Sequence, residues 1–141
     1  MTFLKWVLVI GGVLFLAAAA AVFGVFYWAS GIPSVQVTEA DLAAGGSFPP
    51  EERQAMLDAC NRRKVAKRDD TCTCIADRSA TDLSRFLRLV LTASLEGSAS
   101  KIVAITKGLM ESGVPPERVN AIEKESEQRF DTLMQACGLG R

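Results

Sequence analysis

The longest apolar segment of the chain lies near its amino terminus, ahead of shorter segments in which apolar residues recur with a helical period. From Trp6 to Trp28, 23 residues contain no charged side chain. As a helix they extend about 34 Å, enough to cross a hydrocarbon core of roughly 30 Å. Aromatic residues flank both ends, as is typical at membrane interfaces. The pattern predicts a transmembrane helix from about Phe3 to Trp28, within an anchor of residues 1–29.

A cleavable signal peptide is the alternative for this segment. Lys5 would form its charged start, Val7–Leu16 its apolar region, and the alanines at 17–21 its cleavage site. Cleavage there would leave Val22–Trp28 as an exposed apolar start, which is unfavourable in a soluble protein. A retained anchor is therefore favoured.

Flanking charge predicts the orientation of the anchor. Lys5 precedes it, and no Lys or Arg follows it before Arg53. Because positive charges are enriched on the cytoplasmic side, we expect the amino terminus in the cytoplasm and residues 30–141 outside. The short start, alanine-rich span and small cysteine-containing domain favour a single-pass protein of the bacterial inner membrane. Its domain is then expected in the periplasm, and the lipid bilayer is its first predicted partner.

Small residues recur along the anchor with the four-residue spacing of one helix face. The pairs are Ala17 with Ala21 and Ala20 with Gly24. Such positions let a neighbouring membrane helix approach closely, so these four residues are candidates for contact with other membrane-protein subunits. The alternative is that alanine and glycine reflect the ordinary composition of membrane helices.

Residues 30–48 show no helical apolar stripe and are rich in glycine, proline and small polar residues. This composition predicts a flexible linker. The residues that follow it, 49–141, are predicted to form the folded domain.

Four helices are predicted in residues 49–141, where no alternating strand pattern occurs. Prolines and acidic residues open the first and last of them, and glycines end the later ones. The predicted ranges are about 49–68, 79–97, 100–112 and 115–138. The expected fold is all-α, with the four helices joined by disulfides.

The second predicted helix carries the strongest apolar stripe of the domain. Ser79 and Asp82 form a capping-box pattern at its start, although a start about one turn earlier, near Thr73, is the alternative. The residues on the opposite, polar face are Arg85, Arg88 and Thr92. The stripe consists of Leu83, Phe86, Leu87, Val90, Leu91 and Leu95.

Composition narrows the chemistry that the chain can perform. Sixteen basic and sixteen acidic side chains cancel, so the chain is not expected to bind nucleic acid. The sequence contains no histidine, which excludes a Ser-His-Asp or Cys-His catalytic arrangement, histidine metal ligands and the attachment motif of c-type haem. No phosphate-binding loop is recognisable either. No catalytic residue, cofactor or small-molecule substrate is therefore predicted.

All four cysteines follow the predicted anchor, at Cys60, Cys72, Cys74 and Cys137. An even number in a small exported domain favours two structural disulfides. Cys60 and Cys137 lie on the inward faces of the first and last predicted helices. The other two lie in an extended turn, so that their side chains point in opposite directions. Of the three possible pairings we favour Cys60–Cys72 with Cys74–Cys137, and the exchange of the two middle cysteines is nearly as well supported.

Two other uses of the cysteines remain open. Cys72 and Cys74 form a Cys-x-Cys pair that a thiol–disulfide protein would use in redox exchange, although no thioredoxin-like pattern surrounds them. Four thiolates would also suit zinc or an iron–sulfur cluster, but the paired Cys-x-x-Cys motifs of such sites are absent. No metal is therefore predicted.

A basic cluster ends the first predicted helix. It would suit anionic lipid headgroups or an acidic partner. The alternative is a solvated helix end, whose charges meet the negative end of the helix dipole. The cluster consists of Arg62, Arg63, Lys64, Lys67 and Arg68.

These features together favour a non-enzymatic, membrane-anchored accessory or interaction protein. A tethered domain meets other membrane proteins most readily, so the most specific expectation is a small subunit of an inner-membrane complex of respiratory or photosynthetic type. One alternative is a membrane-tethered redox protein that uses Cys72 and Cys74. Another is a module that binds cell-wall polymer or the lipid surface through the basic cluster.

Overall fold

The computed structural model describes residues 31–64 and 70–139. The predicted transmembrane helix and its small-residue face lie outside these ranges. Of the helices within them, none is both long enough and apolar enough to cross a membrane. These helices belong to one compact unit that begins at Ser34.

Five α-helices and one short 3₁₀ helix make up the described part of this unit, and no β-strand occurs there. The 3₁₀ helix covers Glu39–Leu42. The α-helices are α1 (Pro50–Arg62), α2 (Thr71–Asp82), α3 (Arg85–Glu96), α4 (Ala99–Glu111) and α5 (Pro116–Ala136). The predicted all-α fold is confirmed.

The predicted number of four helices is wrong, because the second predicted helix consists of two. Leu83 adopts an extended backbone (φ −112°, ψ 147°) and ends α2. Ser84 then caps α3, since its hydroxyl accepts a hydrogen bond from the N–H of Leu87. Ser79, the predicted cap, is buried inside α2 and donates its hydroxyl to the carbonyl of Ala76. The alternative start, one turn earlier, is closer to the observed one.

The first helix is also shorter than predicted. α1 ends at Arg62 rather than near Arg68. Lys64 has a positive φ of 51°, which L-residues rarely adopt and which a right-handed helix does not accommodate. Residues 65–69 lie outside the described ranges, so the chain between α1 and α2 is described only at its two ends.

The core is built around α3. The apolar stripe of this helix is buried as predicted, with Phe86, Leu87, Leu91 and Leu95 each no more than 7% exposed. The fully buried residues of α1, which packs against α3, are Met56, Ala59 and Cys60. Burial of one large apolar side chain such as Met56 contributes about 1.5–3 kcal/mol, so the packing of α1 stabilises the unit.

Residues 34–48 pack against the helices and are named here the N-terminal strap. The N–H of Val35 donates a hydrogen bond to the carbonyl of Ala104 in α4 at 3.0 Å. The side chain of Val37 belongs to the core and is 3% exposed. The prediction of a flexible linker over 30–48 is therefore wrong for residues 34–48, which pack against the helices. The sequence pattern did not indicate this packing, because the apolar residues of the strap are isolated and show no helical period.

Gly108 of α4 packs against the strap and offers a test of this contact. A Cβ at Gly108 would overlap the backbone carbonyl of Val35. We expect Gly108→Ala to lower the free energy of unfolding by about 1–3 kcal/mol, the usual cost of overpacking. Amide hydrogen exchange in the strap should rise as well. Chemical denaturation and exchange measured by mass spectrometry check both effects.

The control for this substitution is Met110→Ala, at a position of the same helix that is 58% exposed. It should change stability by less than about 0.5 kcal/mol. Wild-type stability and wild-type exchange in Gly108→Ala would contradict the close packing of the strap on α4.

Candidate functional site

The four cysteines form two disulfides, Cys60–Cys72 and Cys74–Cys137, with Cα–Cα distances of 5.8 and 5.7 Å. This is the favoured pairing, and it is confirmed. The two middle cysteines lie in the first turn of α2 rather than in an extended turn. Residues two positions apart in a helix differ by about 200° in direction around the helix axis. The side chains of Cys72 and Cys74 therefore still point apart, one toward α1 and the other toward the end of α5.

Each member of the Cys-x-Cys pair is thus bonded to a different helix end. None of the four cysteines, all of which lie in the described ranges, is a free thiol. A redox pair would need Cys72 and Cys74 to exchange with each other, and in this structure they do not. Among the described residues, no group of three or more potential ligands is placed to hold a metal ion.

The basic cluster is described in part. Arg62, Arg63 and Lys64 are exposed at the end of α1. Arg62 lies 3.6 Å from Glu96, and its side chain remains 68% exposed. The other two members of the basic cluster, Lys67 and Arg68, lie outside the described residues. The small residues of the predicted anchor also lie outside them: Ala17, Ala20, Ala21 and Gly24.

A groove between α3, α4 and α5 is the apolar feature that we assign to an interaction. α5 has 21 residues, all of them described, and Leu133 is its one buried residue. Two of its half-buried apolar residues, Val119 and Phe130, line a groove of about 330 Å³. The apolar residues that line it are Phe86, Leu87, Val90, Ile102, Val119 and Phe130. We name this feature the α5 groove.

The polar residues of the α5 groove are mainly acidic. Glu123 and Glu127 are exposed and one helical turn apart on α5. Ser126, half-buried between them, donates its hydroxyl to the carbonyl of Glu123 at 2.6 Å. The lining contains no Lys or Arg. An apolar groove with an acidic edge is complementary to a segment that is apolar on one face and basic at its margin.

A buried arginine fastens the strap to the helices. Arg88 of α3 is 1% exposed, and its guanidinium carbon lies 4.7 Å from the centre of the Phe48 ring. Its Nη atoms donate, over 2.8–3.3 Å, to the carbonyls of Gly45, Ser47, Ala80 and Leu83. Two of these carbonyls belong to the strap and two to the end of α2, where the helix dipole favours a cation. Burial lowers the pKa of Arg88, although Glu52 opposes the shift.

A second arginine joins the strap to α1. Arg85 donates from Nε and Nη2 to one carboxylate oxygen of Glu52, at 3.0 and 2.8 Å, and lies 3.4 Å from Asp41. The hydrogen bond with Glu52 raises the pKa of Arg85. Burial would raise the pKa of Asp41, but hydrogen bonds from the backbone and hydroxyl of Thr38, with the charge of Arg85, lower it.

The lowered pKa of Asp41 gives a pH-dependent prediction. Its contribution to stability is fully present above the unfolded-state value near 3.8 and is lost as the pH falls through the lower folded-state pKa. We expect Asp41→Asn to lower the free energy of unfolding by roughly 1–2 kcal/mol at pH 7. The difference from wild type should shrink as the pH falls below 3.8 and through the lower folded-state pKa. Thermal unfolding followed by circular dichroism across this range measures it.

Asp77→Asn is the matched control for this measurement. Asp77 pairs with Arg53 at 2.6 Å, but both side chains are well exposed, at 59% and 39%. Such surface pairs contribute about 0–1 kcal/mol. An Asp41→Asn variant no less stable than Asp77→Asn at pH 7 would contradict the role given to Asp41.

Comparisons of the chain with protein-family models, curated proteins and solved structures found no match.

Sequence reasoning missed the two features that the fold assembles from distant segments. Arg88 was assigned to the polar face of its helix, whereas the carbonyls that surround it come from the strap and from α2. The α5 groove was also missed, because its apolar residues follow a helical period and were therefore predicted to be core. No local pattern in the sequence distinguishes a covered apolar face from an uncovered one.

Proposed function

We propose that the chain is a non-enzymatic, membrane-anchored accessory protein of a larger membrane complex and that it binds its partner through the α5 groove. The α5 groove is the observation that carries this proposal. Val119 and Phe130 of α5 pack on the core yet stay only half-buried in the groove, and a partner segment would bury them further.

The groove also indicates the chemistry of the partner. Its apolar lining suits an amphipathic segment, and Glu123 and Glu127 suit Lys or Arg at the margin of that segment. A basic amphipathic helix on the periplasmic surface of another subunit has this character. A small subunit of a respiratory or photosynthetic inner-membrane complex remains the most specific form of the proposal.

The compartment is proposed from the sequence together with the disulfides. Two disulfides in a small unit are typical of an oxidising environment, and the charges that flank the apolar segment favour a cytoplasmic amino terminus. A reporter that is active only outside the cytoplasm, fused after Arg141, should be active. Intact mass should include residues 1–28 apart from minor trimming. An inactive reporter would contradict the predicted orientation, and a mass that lacks the amino-terminal segment would contradict the retained anchor.

Site-directed crosslinking tests the binding surface. A photoreactive amino acid at Ser126, inside the α5 groove, should crosslink to a defined membrane-complex subunit in intact cells. The same group at Lys124, exposed on another side of α5 and outside the groove lining, should not. Equal crosslinking from both positions, or none from either, would contradict binding through the groove.

A further inference from the structure

A basic surface is assembled where the end of α1 meets the turn between α3 and α4. Arg62, Arg63 and Lys64 are exposed at the end of α1. The side chain of Lys101, in the first turn of α4, is 60% exposed. Lys101 was not part of the basic cluster predicted from the sequence, because it lies far along the chain from α1. We name these four residues the basic surface.

Glu96, the last residue of α3, holds the basic surface together. One of its carboxylate oxygens lies 2.5 Å from Nζ of Lys101, and the other lies 3.6 Å from Nη2 of Arg62. The guanidinium of Arg63 lies beside Gly97, since a Cβ built on this glycine would be 3.4 Å from Nη2. The side chain of Glu96 is only 15% exposed, whereas that of Arg62 is 68% exposed. The negative charge therefore lies beneath the cations, and the outward side of the surface is positive.

The place of the basic surface relative to the strap favours a membrane as its partner. Lys101 and Glu96 line the same cavity as Val35 of the strap. Only six residues lie between Val35 and Trp28, the predicted end of the membrane span, and this tether extends at most about 25 Å. A surface on so short a tether meets lipid headgroups at a high effective concentration. This step rests on the anchor of the proposed function.

We propose that the basic surface docks on the anionic phospholipid headgroups of the leaflet next to the anchor. Guanidinium groups donate paired hydrogen bonds to phosphate oxygens, and a lysine adds a compact positive charge. Each Lys or Arg held near an anionic membrane surface strengthens association about fivefold. The residues of the basic surface are separate from those that line the α5 groove, so docking and partner binding use different side chains.

Contact quenching in lipid nanodiscs tests this docking. The full chain carries a fluorophore, attached through an unnatural amino acid, at Ser100, which is exposed and next to Lys101. The discs contain a nitroxide-headgroup quencher lipid in phosphatidylcholine, either alone or mixed with phosphatidylglycerol. We expect quenching to be at least about twofold stronger in the anionic discs. It should return to the neutral-disc level in about 1 M salt, where the Debye length is about 3 Å.

Charge-removing variants assign the increase in quenching to the basic surface. Arg62→Gln/Arg63→Gln/Lys101→Gln should abolish the increase, with the helical circular dichroism of the wild type as the check on folding. Arg63→Gln/Lys64→Gln leaves both ion pairs of Glu96 intact and serves if the triple variant unfolds. This double variant should weaken the increase.

The matched control is Arg78→Gln/Arg118→Gln/Lys124→Gln, which removes three exposed cations elsewhere on the unit and should keep the increase. Equal quenching in both discs, or an increase that the control also loses, would overturn the docking. An acidic protein would then be the better candidate for the basic surface. A chain that does not co-elute with either disc would contradict the anchor, and the inference with it. A chain that co-elutes without the increase contradicts the docking alone.

Discussion

Replacing Cys137 by serine should lower the free energy of unfolding by about 4 kcal/mol. The Cys74–Cys137 disulfide closes a loop with a sequence separation of 63 residues, and the chain-entropy model assigns about 4 kcal/mol to a loop of this length. A domain of this size has a total stability of roughly 5–15 kcal/mol, so the loss is a large share. Chemical denaturation in oxidising buffer measures it.

The thiol count of the same variant checks the pairing. Alkylation under native and denaturing conditions should reveal one new thiol, at Cys74, while Cys60–Cys72 stays intact. Ala136→Ser, at the exposed neighbouring position, is the control and should stay within about 0.5 kcal/mol of wild type. If Cys137→Ser unfolds together with the wild type and exposes no thiol, Cys137 is not bridged.

Replacing Arg88 by methionine should lower the free energy of unfolding by about 3–5 kcal/mol. The side chain is buried, and its loss leaves the carbonyls of the strap and of the end of α2 without their charged donor. Hydrogen bonds to a charged group contribute roughly 1.5–3 kcal/mol each, and removing one member of a buried charged cluster costs 3–5 kcal/mol in other proteins. Denaturation gives the total, and hydrogen exchange should show the strap released before global unfolding.

Two variants give this measurement its controls. Arg78→Met removes an arginine whose side chain is 55% exposed and should change stability by less than about 1 kcal/mol. Arg88→Lys keeps the charge but not the planar set of donors, so its stability should be intermediate. If Arg88→Met has the stability of the wild type, and its strap amides exchange at the wild-type rate, Arg88 does not hold the strap on the helices.

The parts of the fold that the sequence predicted are those that depend on local periodicity. The stripe of α3 repeats over several turns, so its burial followed from spacing alone. Helix boundaries were less accurate, because two serines five residues apart, Ser79 and Ser84, are both of a residue type that caps helices. Ser79 has the acidic residue three positions later that a capping box requires, yet Ser84 is the cap. The extended backbone at Leu83, set by packing, decides between them.

The parts that were missed depend on contacts between distant residues. The strap was predicted to be flexible because Val35, Val37 and Phe48 have no period, but a core accepts single side chains from an irregular segment. Arg88 is 43 residues from Gly45 and 41 from Ser47, and only the fold brings their carbonyls to its guanidinium. The α5 groove likewise depends on how α5 packs beside α3 and α4, which are distant from it in sequence.

We propose that the partner of this chain binds the α5 groove, and quantitative co-purification in mild detergent is the most direct test of that interaction. The double variant Glu123→Lys/Glu127→Lys reverses the acidic edge of the groove. The matched double variant Glu117→Lys/Asp131→Lys makes the same change in charge at exposed positions of α5 outside the groove. The wild type and the matched variant should co-purify the same amount of partner subunit. The groove variant should co-purify at least tenfold less. Equal recovery from all three proteins, or a wild-type chain that always purifies alone, would contradict the account.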